Sequence, residues 1–198
     1  ANEVYKPTYI TQHTLNLTGG SEVGRYLVSF DYLDQPGLVK NTEYQRYSYR
    51  VNTDLNIGKM LKVSSDVTYR HVDRLWPESL GSVQYDVWSM QPTSPVRYEN
   101  GDYRLDKQNR NAISLMDLDV VGEDRYNMDV VYGQVKADFE PIKDLVFTGM
   151  ASLNGSWDRR KIHYKNYKYY NEAGELVTQR NNPNSVKDLS LIHISEPT

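Results

Sequence analysis

The side chains able to do chemistry fall into three groups. Trp76, Tyr85, Trp88, Tyr98 and Tyr103 lie in a stretch rich in Pro, Asn, Asp and Gly. Aromatic faces there can stack on the apolar faces of sugar rings, or pack the loop against itself. Arg50, Asp54, Asp66 and Arg70 are charges set within alternating segments. Such residues either line a wet path or hold a wall together through ion pairs. His13, His71 and His163 are isolated, with no H-x-x-x-H or H-E-x-x-H spacing for a metal. There is no G-x-S-x-G elbow and no phosphate-binding loop. Carboxylates are plentiful, but no pair stands out as a glycosidase couple. The expectation is a protein that is not an enzyme and uses neither cofactor nor metal.

Composition narrows the class of partner. A net charge of −3 with 25% charged residues gives no electrostatic footprint for nucleic acid. Cys is absent, which removes disulfide scaffolds and thiolate metal sites. Tyr supplies 17 aromatics against 3 Phe and 3 Trp, a bias shared by membrane interfaces and Tyr-rich binding modules. The mean hydropathy of −0.71 does not argue against a membrane. Strands that alternate lipid-facing and water-facing residues conceal their apolar half in any average.

The elements that position these residues read as strands. Thr14–Thr18, Arg25–Leu33, Tyr44–Leu55, Leu61–Arg70, Asn127–Phe139 and Leu145–Trp157 alternate apolar or aromatic residues with polar ones. Tyr26, Val28, Phe30 and Tyr32 share one face, and Arg25, Ser29 and Asp31 the other, with Leu27 the exception. Tight turns at Gly19–Gly24, Asn56–Met60 and Glu140–Asp144 fall at every second connection. Between them come a medium loop at Asp34–Thr42, an insertion over about 72–125, and a basic, Tyr-rich loop opening at Asp158. The charges Asp158, Arg159, Arg160 and Lys161 read as the solvated base of that loop. Turns sorted by length are expected of a transmembrane β-barrel. Several strands reach the roughly 9–11 residues needed to cross a bilayer at a tilt. Tyr32, Tyr44, Tyr47, Tyr69 and Trp157 lie towards the long-loop ends, where an aromatic girdle is expected. The fold class is all-β, an incomplete antiparallel barrel made of hairpins.

The chain opens without a charged-then-apolar leader, so an export signal is expected upstream or removed. Leu189–Thr198 reads LSLIHISEPT and resembles, at all ten positions, the in-frame translation of a transposase-type sequencing-library adapter. Those residues are expected to be a non-native tail, and His193 with them carries no functional weight. A natural terminal strand is the alternative.

The stretch His13–Val63 resembles the early barrel of SusC/RagA-type TonB-dependent transporters. That family shows an N-L-S-x-S-G-G segment, matched at Asn16–Gly20, then an aromatic strand ending Y-L-x-Q-x-G-x-V-x-N, matched at Tyr32–Asn41. A strand of the form Y/F-x-R-Y-x-x-R-x-N follows at Tyr44, Arg46, Tyr47, Arg50 and Asn52. The W-L-K-V turn appears as Met60-Leu61-Lys62-Val63, with Met in place of Trp. Gln91–Val96 and Glu99–Tyr103 are similar to the family's P-P-T-x-P-x and dG-x-Y loop. The resemblance covers most of residues 1–188 and is most specific in its first fifty or so.

The resemblance implies outer-membrane barrels of roughly two dozen strands closed by an N-terminal plug. It implies import of an oligosaccharide or peptide substrate, driven through TonB by way of an N-terminal region this chain lacks. It also implies a SusD-like lipoprotein partner, outer-membrane lipid around the barrel and a bacterial outer-membrane location. In that setting the loop aromatics could also pack against the capping lipoprotein. Two alternatives come from other classes. One is a secreted soluble β-sandwich acting as a carbohydrate-binding module. The other is an outer-membrane porin or adhesin.

Overall fold

The computed structural model describes residues 4–91, 93, 95–105, 111–171, 173–180 and 186–195. Six strands follow one another as antiparallel neighbours. They are β1 (Thr11–Gly20), β2 (Gly24–Asp34), β3 (Glu43–Ile57), β4 (Leu61–Pro77), β5 (Gly122–Ile142) and β6 (Leu145–Tyr164). A short hairpin, β7 (Tyr167–Tyr170) with β8 (Leu176–Arg180), stands apart, and β9 (Val186–Ser195) completes the seven-stranded sheet beside β6. The sheet is open, with β1 and β9 at its edges. The described residues thus form one seven-stranded sheet and a separate two-stranded hairpin.

The three short turns, 21–23, 58–60 and 143–144, lie at one end, and the long connections lie at the other. Gly58 and Asp144 take positive φ values of 65° and 68°, as such tight reversals demand. The strands overrun their expected limits, mostly at the long-loop end. β4 continues to Pro77, β5 begins at Gly122 and β6 runs to Tyr164, so the insertion proper is 78–121 and Asp158–Lys161 is strand. Alternation does continue through those segments, but charge and Tyr content masked it.

Register gives each strand two chemically distinct faces. Leu15 pairs with Phe30, Phe30 with Tyr49, Tyr49 with Tyr69 and Tyr69 with Val131. Leu17, Val28, Val51 and Val67 form the next row on that apolar face. The opposite face carries Asn16, Ser29, Arg50, Thr68 and Tyr132 in one row. Alternation is loosest on β5, where Met128, Val130 and Tyr132 sit on the polar side. The apolar face is bare: Leu15 is 69% exposed, Phe147 58% and Leu153 52%. A patch this large is untenable in water and calls for a lipid or protein covering.

Aromatic rings cross the upper part of this apolar face. Tyr32 and Tyr47 have centroids 5.0 Å apart, as do Phe30 and Tyr49, while Tyr49 and Tyr69 are 6.1 Å apart. His13 and His71 extend the Tyr32–Tyr47 row on either side, and Trp157 lies further along it, opposite Asp129. Tyr44 departs from the expected girdle. It pairs with Arg74 and points to the polar face, because its register differs by an odd number from that of Tyr47.

A small core forms away from the sheet, inside the insertion. Helix α1 (Leu80–Ser89) directs Val83 and Val87 into a cluster with Val4, Ala112 and Met116, while Tyr85 and Trp88 point away. Short apolar spacing inside a polar loop gave no strand signal, and this helix was not expected from the sequence. The cluster also gathers Tyr5 and Val39, so the N-terminal segment and the 35–42 loop join it. The Asn41 amide donates to the Met116 carbonyl at 2.8 Å. A second short helix, α2 (Leu118–Val121), is capped by Asp117 and leads into β5. Gly122 makes that passage at φ 97°, where any Cβ would run into the His163 carbonyl.

Candidate functional site

The polar face and the insertion above it hold the charged and aromatic residues of interest. Strand period places every second side chain there, and the fixed register stacks them in cross-strand pairs. Arg50 contacts Asp66 at 2.8 Å and donates through Nε to Asn52 at 3.1 Å. Asp54 accepts from the Ser64 hydroxyl at 2.7 Å. Arg70 lies on the same face and makes no ion pair among the described residues. These four therefore share one wall, with Arg50 and Asp66 directly joined.

The five aromatics of the insertion do not form a single platform. Trp76 is at the top of β4 on the polar face, with the Arg74 guanidinium 3.8 Å above its ring. Tyr85 and Trp88 project from α1 and are 64% and 81% exposed. Tyr98 and Tyr103 belong to a turn closed by the Arg97–Tyr103 bridge. There the Arg97 guanidinium lies 3.7 Å from the Tyr103 ring, and the Tyr103 hydroxyl donates to Asp117 at 2.7 Å. Burial and that hydrogen bond hold the Tyr103 phenol above its ordinary range.

Two further groupings escaped the sequence reading. On the polar face, Asp124 is gripped by Arg160 through two hydrogen bonds of 2.9 and 2.6 Å, with Arg74 at 3.8 Å. Asp31 pairs with Arg46 at 3.1 Å and also accepts from Gln12 and Thr14. Extending the even-numbered parity of β4 beyond Arg70 would have placed Arg74 and Trp76 on this wall. In the loops, Ser114 meets the Tyr169 hydroxyl at 2.6 Å, and Lys165 reaches Asp119 at 2.9 Å. Arg180 contacts Glu78 at 2.7 Å. The β7–β8 hairpin is thereby fastened to the insertion, a contact between distant segments that no local pattern announces. Among the described residues no three His, Asp or Glu side chains gather as a metal site.

No protein-family model matches this chain. A TonB-dependent receptor, P26, of Formosa agariphila is 32% identical over 98 residues, covering 49% of this chain and 10% of that protein. A second, TonB-dependent receptor P3 of the same organism, is 33% identical over 66 residues, or 33% of this chain and 7% of that protein. Over these stretches the chain is similar to TonB-dependent receptors.

Its fold agrees. Solved structures of the RagAB peptide importer in a closed-closed state and of the RagAB peptide transporter superpose with a TM-score of 0.61. Identity is 17% and 18%, so the likeness concerns the fold, and it covers 82% of this chain and 19% of the matched chains. The open sheet thus resembles in fold a segment of the matched barrels. The match spans about a tenth or less of the length of those receptors. In such a barrel the apolar face looks out to lipid and the polar face looks into the lumen. No helix among the described residues is long and apolar enough to cross a membrane, a test that does not bear on strands.

Proposed function

We propose that this chain is part of the barrel of an outer-membrane TonB-dependent active transporter. It imports oligosaccharides or related nutrients, with a SusD-like lipoprotein closing the extracellular side. The observation that carries this reading is the 32% identity to a TonB-dependent receptor over 98 residues. The segregation of lipid-suited and water-suited faces supports it, since a lumen must be wet and a perimeter greasy. The extracellular insertion, with Tyr85, Trp88, Tyr98 and Tyr103, and Trp76 at the strand end beneath it make first contact with the substrate or with the lipoprotein. Arg50, Asp54, Asp66 and Arg70 belong to the lumen wall. TonB acts through an N-terminal region outside this segment.

The neighbouring RagAB structures are of a peptide importer, so peptides are the second substrate class to try. The test is removal of the gene carrying this segment from its bacterium, followed by uptake of labelled oligosaccharides and peptides. Loss of uptake of one class, restored by the gene but not by a copy lacking its TonB-contacting region, is the expected result. Unchanged uptake of every class overturns the reading. Co-purification of a lipoprotein with the detergent-solubilised transporter tests the partner.

The segment 189–198 we read as adapter-derived. What supports this, beyond the ten matching residues, is its alternation. Leu189 and Leu191 fall on the lumen face while Ile192 and Ile194 fall on the lipid face. Leu189 and Leu191 thus put apolar side chains on the lumen side of β9, where neighbouring β6 carries Asp158 and Arg160.

A further inference from the structure

Between the insertion and the start of β7 lies a cleft of about 260 Å³. One wall is the 97–103 turn with Asp119 and Val120, and the other is the 166–170 segment. Contacts within the chain hold both walls. The Tyr169 hydroxyl meets Ser114 at 2.6 Å, Tyr103 donates to Asp117 at 2.7 Å and Lys165 binds Asp119 at 2.9 Å. The Lys165 amide adds a bond of 3.1 Å to the Val121 carbonyl. A cleft pinned in this way needs little reordering to bind, the usual condition of a small-molecule site.

Its lining defines the guest. Tyr103, Tyr167, Tyr169 and Tyr170 make it aromatic, with the Tyr167 and Tyr169 rings 5.0 Å apart. Charge is balanced, Arg97 and Lys168 standing against Asp102 and Asp119. Three of those four charges are already engaged. Arg97 donates to the Gly101 carbonyl and lies on the Tyr103 ring, Asp102 accepts from Asn100, and Asp119 holds Lys165. Asn166, Lys168 and Tyr170 remain, all exposed and none with a hydrogen bond or ion pair among the described residues. An amide and a phenol both donate and accept, and an ammonium donates, so together they can serve several hydroxyls. Aromatic faces beside such polar heads suit a hydroxylated ring, whose C–H face stacks while its rim hydrogen-bonds. An apolar peptide side chain would instead cover those heads and leave them unpaired. The volume lies below the roughly 300–1,000 Å³ of sites that engulf a whole ligand, so one ring fits rather than a chain.

We propose that this cleft is an extracellular subsite for a single sugar ring, an uncharged pyranose unit of the imported oligosaccharide. Tyr170 supplies a stacking face, and Asn166 and Lys168 meet the hydroxyls. The proposal rests on the import reading and makes the cargo, rather than the lipoprotein, what the start of β7 touches.

The experiment uses the intact transporter, purified from outer membranes in detergent with any lipoprotein that accompanies it, and titrated calorimetrically. The probes are linear hexasaccharides of glucose, mannose, galactose and xylose, beside hexa-alanine and a hexapeptide of alternating Ser and Tyr. At least one hexasaccharide is expected to bind, and the N166A/Y170A double variant to weaken it at least about tenfold. Y170F, which keeps the ring and loses the hydroxyl, falls between. The trisaccharide of the same sugar loses affinity by the same factor, because a one-ring subsite reads the same unit in both. Heat-resistant migration of the folded barrel stays unchanged. Full hexasaccharide affinity in the double variant overturns the subsite. Loss of the lipoprotein or of hexapeptide binding in its place also overturns it, and gives the cleft to that partner. Uptake by cells separates the two levels. If the double variant imports a labelled hexasaccharide as well as the wild type does, the subsite alone falls. If the wild type neither binds nor imports any hexasaccharide, the subsite and the oligosaccharide-import reading fall together.

Discussion

Arg180 reaches back across 102 residues of sequence to place its Nη1 2.7 Å from a Glu78 carboxylate oxygen. The pair fastens the β7–β8 hairpin to the start of the insertion. Both side chains are largely buried, at 23% and 13% exposed. Removing one partner strands the other, a loss of about 1–3 kcal/mol. R180Q is expected to increase hydrogen exchange across 78–121 and 167–180 while leaving β1–β4 protected. Uniform exchange throughout would show that the clip contributes nothing.

Tyr169 supplies a pH dependence. Burial pushes its phenol up to about 12, although the Ser114 hydrogen bond works in the opposite direction. Tyr103 is shifted upward too, by burial and then by Asp117. The folded loops therefore favour neutral phenols. Their contribution is complete below the ordinary phenol value of about 10 and is lost as pH rises from there towards the folded value. Absorbance of phenolate at 295 nm should show a late-titrating class that shrinks in Y169F and shrinks further in the Y169F/Y103F double variant. Titration of all tyrosines near pH 10 would contradict it.

The two faces of the sheet predict opposite tolerances. V51R places a cation on the lipid face near mid-strand, at an expected cost of about 2–4 kcal/mol. N52R, one residue on, enters the wet lumen and should be nearly neutral. Folding yield into vesicles, read by heat-modifiable migration, checks the pair. Equal yields would mean that the faces have been assigned wrongly.

Arg50 and Asp66 are in contact and partly solvated, with side chains 52% and 32% exposed. A double-mutant cycle with R50Q and D66N should give a coupling of about 0.2–1 kcal/mol in unfolding experiments. A much larger coupling would mark the pair as central to the wall rather than one tie among several.

Sequencing the source locus beyond Asp188 should yield residues other than LSLIHISEPT. The natural strand should carry polar side chains at the positions now held by Leu189, Leu191 and His193. Recovery of the same ten residues from genomic DNA would make β9 native.

Much of this was readable in advance because strand period and turn length are local properties. The alternation at Tyr26–Tyr32 and at Tyr47–Leu55 fixed both faces, and Gly58 fixed a turn. Tyr44 was misplaced because girdle membership depends on parity, which proximity to Tyr47 in sequence does not reveal. Helix α1 went unseen since its stability comes from Val4, Ala112 and Met116, distant partners that a window over Leu80–Ser89 does not contain. Arg74 and Asp124 lie 50 residues apart and become neighbours only once β4 and β5 are paired. The parity argument stopped at Arg70, where the alternation first loses its apolar residues.

From β1 to β6 the pairing runs without a skipped residue until the irregularity between Phe139 and Ile142, hard by a short turn. A single residue gained or lost in mid-strand would therefore invert everything beyond it, sending Val67 inward and Asp66 into lipid. The wall has no slack in which to hide such an error. Length changes can accumulate only in the extracellular connections, where the 35–42, 78–121 and 165–185 segments already differ widely. Geometry thus leaves the palisade almost no freedom in length, and freedom of that kind is confined to what stands on its rim.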